Sequence, residues 1–114
     1  MSKMNPEVKA RWVAALRSGK YAQGAGALRK GDCFCCLGVL CDVLDPDGWE
    51  NDFHQNVKGM PSLKVYEEAG FAEVIPGFRS PPQVAIEGDA SDLDVHNDNG
   101  RTFAEIADAI EEQL

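Results

Sequence analysis

Apolar residues recur at helical spacing near both ends of the chain and run almost unbroken through its middle. Val8, Trp12, Ala15 and Leu16 fall on one face of a helix while Lys9, Arg11 and Arg17 fall on others, predicting an amphipathic helix over 6–18 with a basic outer side. Asn5-Pro6-Glu7 suits its start, because Asn accepts from free first-turn amides, Pro needs no amide partner and Glu complements the positive helix end. Phe103, Ile106, Ala107 and Ile110 repeat the pattern with acids opposite, behind a Thr102/Glu105 capping box. Between them, eleven of the twelve residues from Cys33 to Leu44 are apolar or small. An element apolar on every side is buried, and the length of this run, with Asp32 as a cap, predicts a central helix ended by Asp45-Pro46-Asp47-Gly48.

The remaining segments carry weaker patterns. Lys20 to Gly31 holds three glycines and reads as a shaped loop with one short extended piece around Ala27-Leu28. Trp49, Phe53 and Val57 among polar neighbours predict one or two short strands over 49–60, and Ser62 caps a helix to Ala69 with Gly70 at its end and Phe71 folding back. Pro76 to Pro82 reads as a loop, Gln83 to Glu87 alternates as a half-buried strand, and Gly88 to Asn99 reads as an acidic, turn-rich segment. The fold class expected is α+β: three main helices around a small antiparallel sheet, with the Cys-rich helix buried at the centre.

Composition adds size and surroundings. A chain of 114 residues, 44% hydrophobic and 26% charged, fits a single domain over 1–114. Burying roughly 65% of its unfolded surface, such a chain folds without disulfides or a structural metal. Its polar start lacks the apolar stretch of a signal peptide, and its apolar runs are too short to span a bilayer, so the expected setting is cytoplasmic with no membrane contact.

Charge changes the picture more. The net charge of −8 divides into +6 over residues 1–31 and −14 over 32–114. An acidic majority repels phosphate backbones and attracts basic protein surfaces, which argues against direct nucleic-acid binding and for a basic protein partner. Against this stands the plainer reading that both charge sets are solvated faces that keep the chain soluble.

Several constellations bear on chemistry. All four cysteines lie within nine residues, unlike a disulfide framework that gains by closing long loops, and they read as packed, reduced thiols. Cys33 and Cys36 form a C-x-x-C, but no strand clearly precedes it as in a thioredoxin site. Zinc would draw on Cys33, Cys36, His54 and His96 without a second matched pair, and no metal or other cofactor is expected. Cys35 or Cys33, with His96 or His54 as base, Asn97 or Asp98 to orient it and Gln23 as oxyanion donor, supplies the residue types of a small papain-like cysteine hydrolase. Asp94 to Glu105 nearly matches a calcium loop, but His96 holds the third position and Gly100 falls one place late; Asn97 to Gly100 reads better as a turn leading to the Thr102 cap. The basic first third also suggests a nucleotide-signal pocket near Gln23 and Arg29, although Gly24-Ala25-Gly26 lacks the rest of a P-loop.

Three stretches resemble a family of small uncharacterised bacteriophage and prophage proteins: Trp12 to Tyr21, Phe34 to Cys41, and Asn97-Asp98 through Thr102 to Asp108. The family carries no established reaction, so no catalytic residue transfers from it. The resemblance implies an accessory protein that occupies the surface of a host protein, as anti-CRISPR proteins do, often one that normally binds nucleic acid. The favoured expectation is an inhibitor of a host defence or nucleic-acid-handling complex whose acids Glu87, Asp89, Asp92, Asp94 and Asp98 imitate phosphates toward Lys/Arg clusters. The alternatives are the cysteine hydrolase and the nucleotide sponge.

Overall fold

The computed structural model describes residues 4–24, 28–50, 53–54, 63–70 and 83–114. Helix α1, Pro6–Arg17, begins as its sequence requires: the Asn5 side chain accepts from the Glu7 amide at 3.0 Å, with Pro6 in the first turn. Val8, Trp12, Val13 and Leu16 are buried on one side. The last helix, α5, Phe103–Gln113, opens with the expected reciprocal Thr102–Glu105 box and buries Phe103, Ile106, Ala107, Ala109 and Ile110. The two helices pack on one another, and Arg17 of α1 meets Asp108 at 2.5 Å and Glu111 at 3.0 Å on α5. The opposed charges of the two ends of the chain therefore partly neutralise one another in space.

Between α1 and α5, the chain after α1 makes three two-residue strands, β1 Ala22–Gln23, β2 Arg29–Lys30 and β3 Cys33–Phe34. They form one mixed sheet in the order β1-β3-β2, with β1 parallel and β2 antiparallel to β3. Helix α2, Cys36–Leu44, then starts three residues later than the apolar run suggests. Cys33 and Phe34 go into the sheet, and Cys35, not Asp32, is the cap, its sulfur accepting from the Gly38 amide at 3.4 Å. The apolar character that predicts burial is realised, since every residue from Cys36 to Cys41 is buried. Trp12 donates its indole N–H to the Cys36 carbonyl at 2.9 Å and Arg11 reaches the Val43 carbonyl at 2.8 Å, so α1 satisfies backbone oxygens of α2.

A 3₁₀ turn at Pro46–Gly48 leads to the antiparallel pair β4 Trp49–Glu50 and β5 Phe53–His54. Helix α3, Leu63–Ala69, ends at Gly70, whose φ of +80° is the left-handed cap anticipated for it. The Asn5 amide bonds the Ala69 carbonyl at 2.7 Å, and a Cβ on Gly70 would sit 2.8 Å from that same nitrogen. Expectations for Ala27, Val57, Ser62, Phe71 and the stretch 76–82 lie outside the described residues.

The final strands, β6 Gln83–Ile86 and β7 Asp89–Asp92, form an antiparallel hairpin closed by Glu87-Gly88, both at positive φ (53° and 84°), the signature of a type I′ turn. Val84 and Ile86 are buried and Gln83 and Ala85 exposed, the predicted alternation. The segment expected to be turn-rich instead completes β7 and forms helix α4, Leu93–Asp98, because Leu93, His96 and Asn97 all bury against the core. The buried apolar side chains, from Met4 and Trp12 through α2 to Ile110, make one cluster. The fold is α+β, with the Cys-rich helix at its centre.

Candidate functional site

The residue types that suggested catalysis do converge, but as a structural clasp. Asn97, only 3% exposed at the end of α4, accepts at Oδ1 from the Gln23 side-chain amide (3.0 Å) and the Cys36 backbone N–H (3.2 Å), and donates Nδ2 to the Gly24 carbonyl (2.6 Å). Gln23 also donates to the Arg101 carbonyl at 2.6 Å and accepts from the Phe103 amide at 3.2 Å. One amide pair, Asn97 buried and Gln23 exposed, thus ties together β1, the start of α2, the end of α4 and the start of α5. These amides are committed to backbone groups, so the oxyanion and orienting roles considered for Gln23 and Asn97 give way to structural ones.

The thiols and histidine tell the same story. Cys35 is buried and its pKa is pushed up to about 11, first by loss of water, against the lowering effect of the Gly38 and Leu37 amides, with Asp98 and Asp94 raising it further. Cys36 and Cys41 are raised by burial as well, and Cys36 donates to the Leu93 carbonyl at 3.5 Å. An activated nucleophile needs the opposite shift. His96 is 1% exposed, with Nε2 2.7 Å from the Val84 carbonyl; it is a core histidine joining α4 to β6 and not the surface or turn residue its polar neighbours suggest. Cys33 is in β3, partly exposed, and so does not share a helical turn with Cys36. The side chain of His54 lies outside the described residues. In the native protein, alkylation with iodoacetamide is expected at Cys33 alone, with Cys35, Cys36 and Cys41 modified only on unfolding; rapid native labelling of Cys35, read by peptide mass spectrometry, would contradict this.

A second polar focus, missed in the sequence, forms around Asp42. Its carboxylate accepts from the Tyr21 hydroxyl at 2.6 Å and the Trp49 indole at 3.0 Å, fixing an edge-to-face stack in which Phe34 lies between Tyr21 and Trp49. Burial first, then Asp42, pushes the Tyr21 pKa up to about 12. Arg29 lies over the Trp49 ring at 4.9 Å. With Arg29 stacked and Gln23 in the clasp, the two residues that prompted the nucleotide pocket are engaged within the fold. A cavity of about 330 Å³ does exist, lined by Pro6, Lys9, Val13, Arg17 and Glu111, but it includes neither of them.

The five candidate acids separate into two groups. Glu87, in the hairpin turn, pairs with Arg101 at 3.4 Å, and Asp89 accepts from Ser91 at 3.0 Å. Arg101 also bonds Glu105, whose carboxyl is lowered, most by the Thr102 amide of the capping box. Asp92, Asp94 and Asp98 gather at the other end, where β7 runs into α4, with Asp94 and Asp98 one turn apart on the helix. Register places Asp92 on the sheet face of Gln83, Ala85 and Ala90, and Asp89 on the opposite face with Val84, Ile86 and Ser91. The set is therefore not one row.

Asp94 is the strained member. Its carboxyl lies above the usual carboxylate range, first through partial burial, then through Asp92, with Asp98 adding less, and its Oδ1 is enclosed without a hydrogen-bond partner among the described residues. A pKa raised in the folded state means that protonation favours folding, so the penalty is complete above that pKa and disappears as pH falls through it. Asp94→Asn is expected to raise the melting temperature near about pH 7 and to lose that advantage near about pH 4. An equal gain at both pH values would contradict an origin in the burial and repulsion of the Asp94 carboxylate.

Among the described residues no group of three or more His, Cys, Asp or Glu is arranged to hold a metal ion, and no helix is long and apolar enough to cross a membrane. Residues 4–114 match the family model described as Domain of unknown function (DUF8296). No curated protein and no solved structure matches the chain.

Proposed function

Because the chain belongs to the DUF8296 family, a domain of unknown function, its role is read from its own surface, and we propose that it is a phage-type accessory protein that binds and inhibits a host complex through its acidic β7–α4 edge. The target is a defence or nucleic-acid-handling protein with a basic surface, in the cytoplasm of the host cell. The chain competes for Lys/Arg clusters that normally hold phosphates and does not contact nucleic acid itself.

One observation carries this reading. Asp92, Asp94 and Asp98 are brought together where partial burial first, and then repulsion from Asp92 and Asp98, raises Asp94, an arrangement that costs the folded state stability. A cationic partner offsets the repulsive part of that cost, and the gain appears as binding free energy. The acids Asp108 and Glu111 of α5 face Arg17 of the same chain and are not part of this edge. Val95, 40% exposed between Asp94 and Asp98, supplies an apolar contact within the charged edge.

The test replaces Asp92, Asp94 and Asp98 by Lys, with and without Glu87 and Asp89, and checks folding by circular dichroism. The wild type is expected to capture a nucleic-acid-handling complex from bacterial lysate and to release it when duplex DNA is added, whereas the Lys variants capture none. Equal capture by folded Lys variants, or capture indifferent to DNA, would overturn the reading.

A further inference from the structure

The outer edge of β6 is closed by a side chain that imitates a strand. Ala85 sits opposite Ala90, one pair in from the Ile86↔Asp89 pair that closes the two-residue turn, so its N–H and C=O point away from β7. Both are met by Gln113 of α5: the Ala85 amide donates to Oε1 and Nε2 donates to the Ala85 carbonyl, each at 2.7 Å. One acceptor and one donor, in the spacing of a peptide group, are what a neighbouring strand would present there. Gln113 is exposed and is the last residue of α5, and a helix end opens more readily than its interior.

We propose that this edge is a strand-addition site, and that an extended, Lys/Arg-bearing segment of the partner displaces Gln113 and pairs with β6. The inference rests on the acidic-edge reading above and specifies how its partner is held. Charge selects the occupant. Asp92 stands at one end of the hairpin and Asp89 at the other, and Glu112 is exposed on the last turn of α5, whereas Glu87 and Glu111 already face Arg101 and Arg17. A second copy of a chain of net charge −8 would bring these same acids together, whereas a basic strand is drawn in.

Side-chain space agrees. The exposed sheet face presents Ala85 directly opposite Ala90, both small, with Gln83 and Asp92 as the next pair. Long Lys or Arg stems of an added strand can lie across the two alanines and carry their charges toward Asp92. The other face, with Val84 and Ile86, is buried under α5 and admits little. Backbone pairing therefore holds the segment and the alternate basic side chains select it.

The probe is a peptide of about ten residues alternating Thr and Lys, tested against the full chain beside the same peptide N-methylated at alternate residues, which keeps the charge and removes backbone donors. Titration is followed through the Ala85 amide and Gln113 side-chain resonances and by calorimetry. The peptide is expected to shift both sets of signals. Gln113→Ala, which opens the edge, is expected to tighten binding about threefold, and N-methylation to weaken it about tenfold or more, as two backbone hydrogen bonds are exchanged or lost. Ala85→Pro removes the outward N–H without breaking a ladder bond and is expected to weaken binding similarly.

Binding unaffected by N-methylation, no binding to wild type or Gln113→Ala, or self-association of Gln113→Ala in place of peptide binding each overturns strand addition and leaves the acidic-edge reading to its own test. Conversely, undiminished peptide binding by the Asp92, Asp94 and Asp98 Lys variant, with the N-methyl effect intact, retains strand addition and removes those acids from it.

Discussion

Gly38→Ala is expected to destabilise the protein by about 3 kcal/mol or more, lowering its melting temperature by roughly 10 °C or more. In an ordinary helix interior the same change stabilises by about 1 kcal/mol, so the sign itself is informative. In this protein the Leu28 carbonyl lies across the first turn of α2, where it accepts from the Cys35 amide at 3.1 Å. A Cβ on Gly38 would land on that carbonyl, 2.7 Å from its carbon and 3.3 Å from the Leu28 Cα. Backbone cannot rotate aside as a side chain can, so α2 would have to leave its seat against β2 and β3. Gly19→Ala serves as the control: its φ of +76° carries a conformational penalty of about 1 kcal/mol, but nothing lies within 4 Å of the new carbon. Equal thermal shifts for the two variants would contradict the close approach of Leu28 to Gly38.

Asn97→Asp is expected to be about as damaging, although it changes almost no volume. Oδ1 can still accept from Gln23 and Cys36, but the atom that donates to the Gly24 carbonyl at 2.6 Å becomes an acceptor facing an acceptor, and a charge is buried. A lost buried hydrogen bond together with an uncompensated charge costs about 3–5 kcal/mol. The pH dependence identifies the cause. Burial and the opposing carbonyl raise the introduced carboxyl's pKa, so the loss is complete above that value, and as pH falls through it the protonated acid donates to Gly24 again. Urea denaturation near about pH 7 and about pH 4.5 should show a gap from wild type that narrows on acidification. A gap independent of pH would place the damage elsewhere.

Where local chemistry decides structure, the sequence is readable. Asn5-Pro6 and Thr102/Glu105 start their helices as their side-chain chemistry demands, and the uniformly apolar Cys33–Leu44 run locates the buried centre. The first residues of that run read wrongly as helix because Cys33 and Phe34 are as apolar as the helix after them. Only their pairing with Ala22, Gln23, Arg29 and Lys30 makes them strand. Helix α4 is hidden for a different reason: Asn97 to Gly100 has strong turn chemistry, and six residues form a helix because Leu93, His96 and Asn97 gain burial. Propensity yields to tertiary contact in so short a segment.

The candidate site divides along the same line. Gln23 and Asn97 are visible as polar residues of a kind that active sites use, but their hydrogen bonds to backbone groups span 61 to 80 positions, which no local pattern reveals. The role of Gln113 at Ala85 is equally hidden, because a side chain replacing a strand leaves no periodicity. The acids are visible as charge. What the fold adds is their division, with Glu87 held by Arg101 and Asp92, Asp94 and Asp98 gathered at the β7–α4 junction.

The central claim is that this junction binds a basic surface, and it is most directly tested by capture from bacterial lysate with the tagged chain at low salt and again at about 0.5 M salt, where surface charges are screened within a few ångströms. The account predicts a nucleic-acid-handling complex retained at low salt and lost at high salt. A complex retained equally at both, or the same low-salt capture by the Asp92, Asp94 and Asp98 Lys variant, would contradict it.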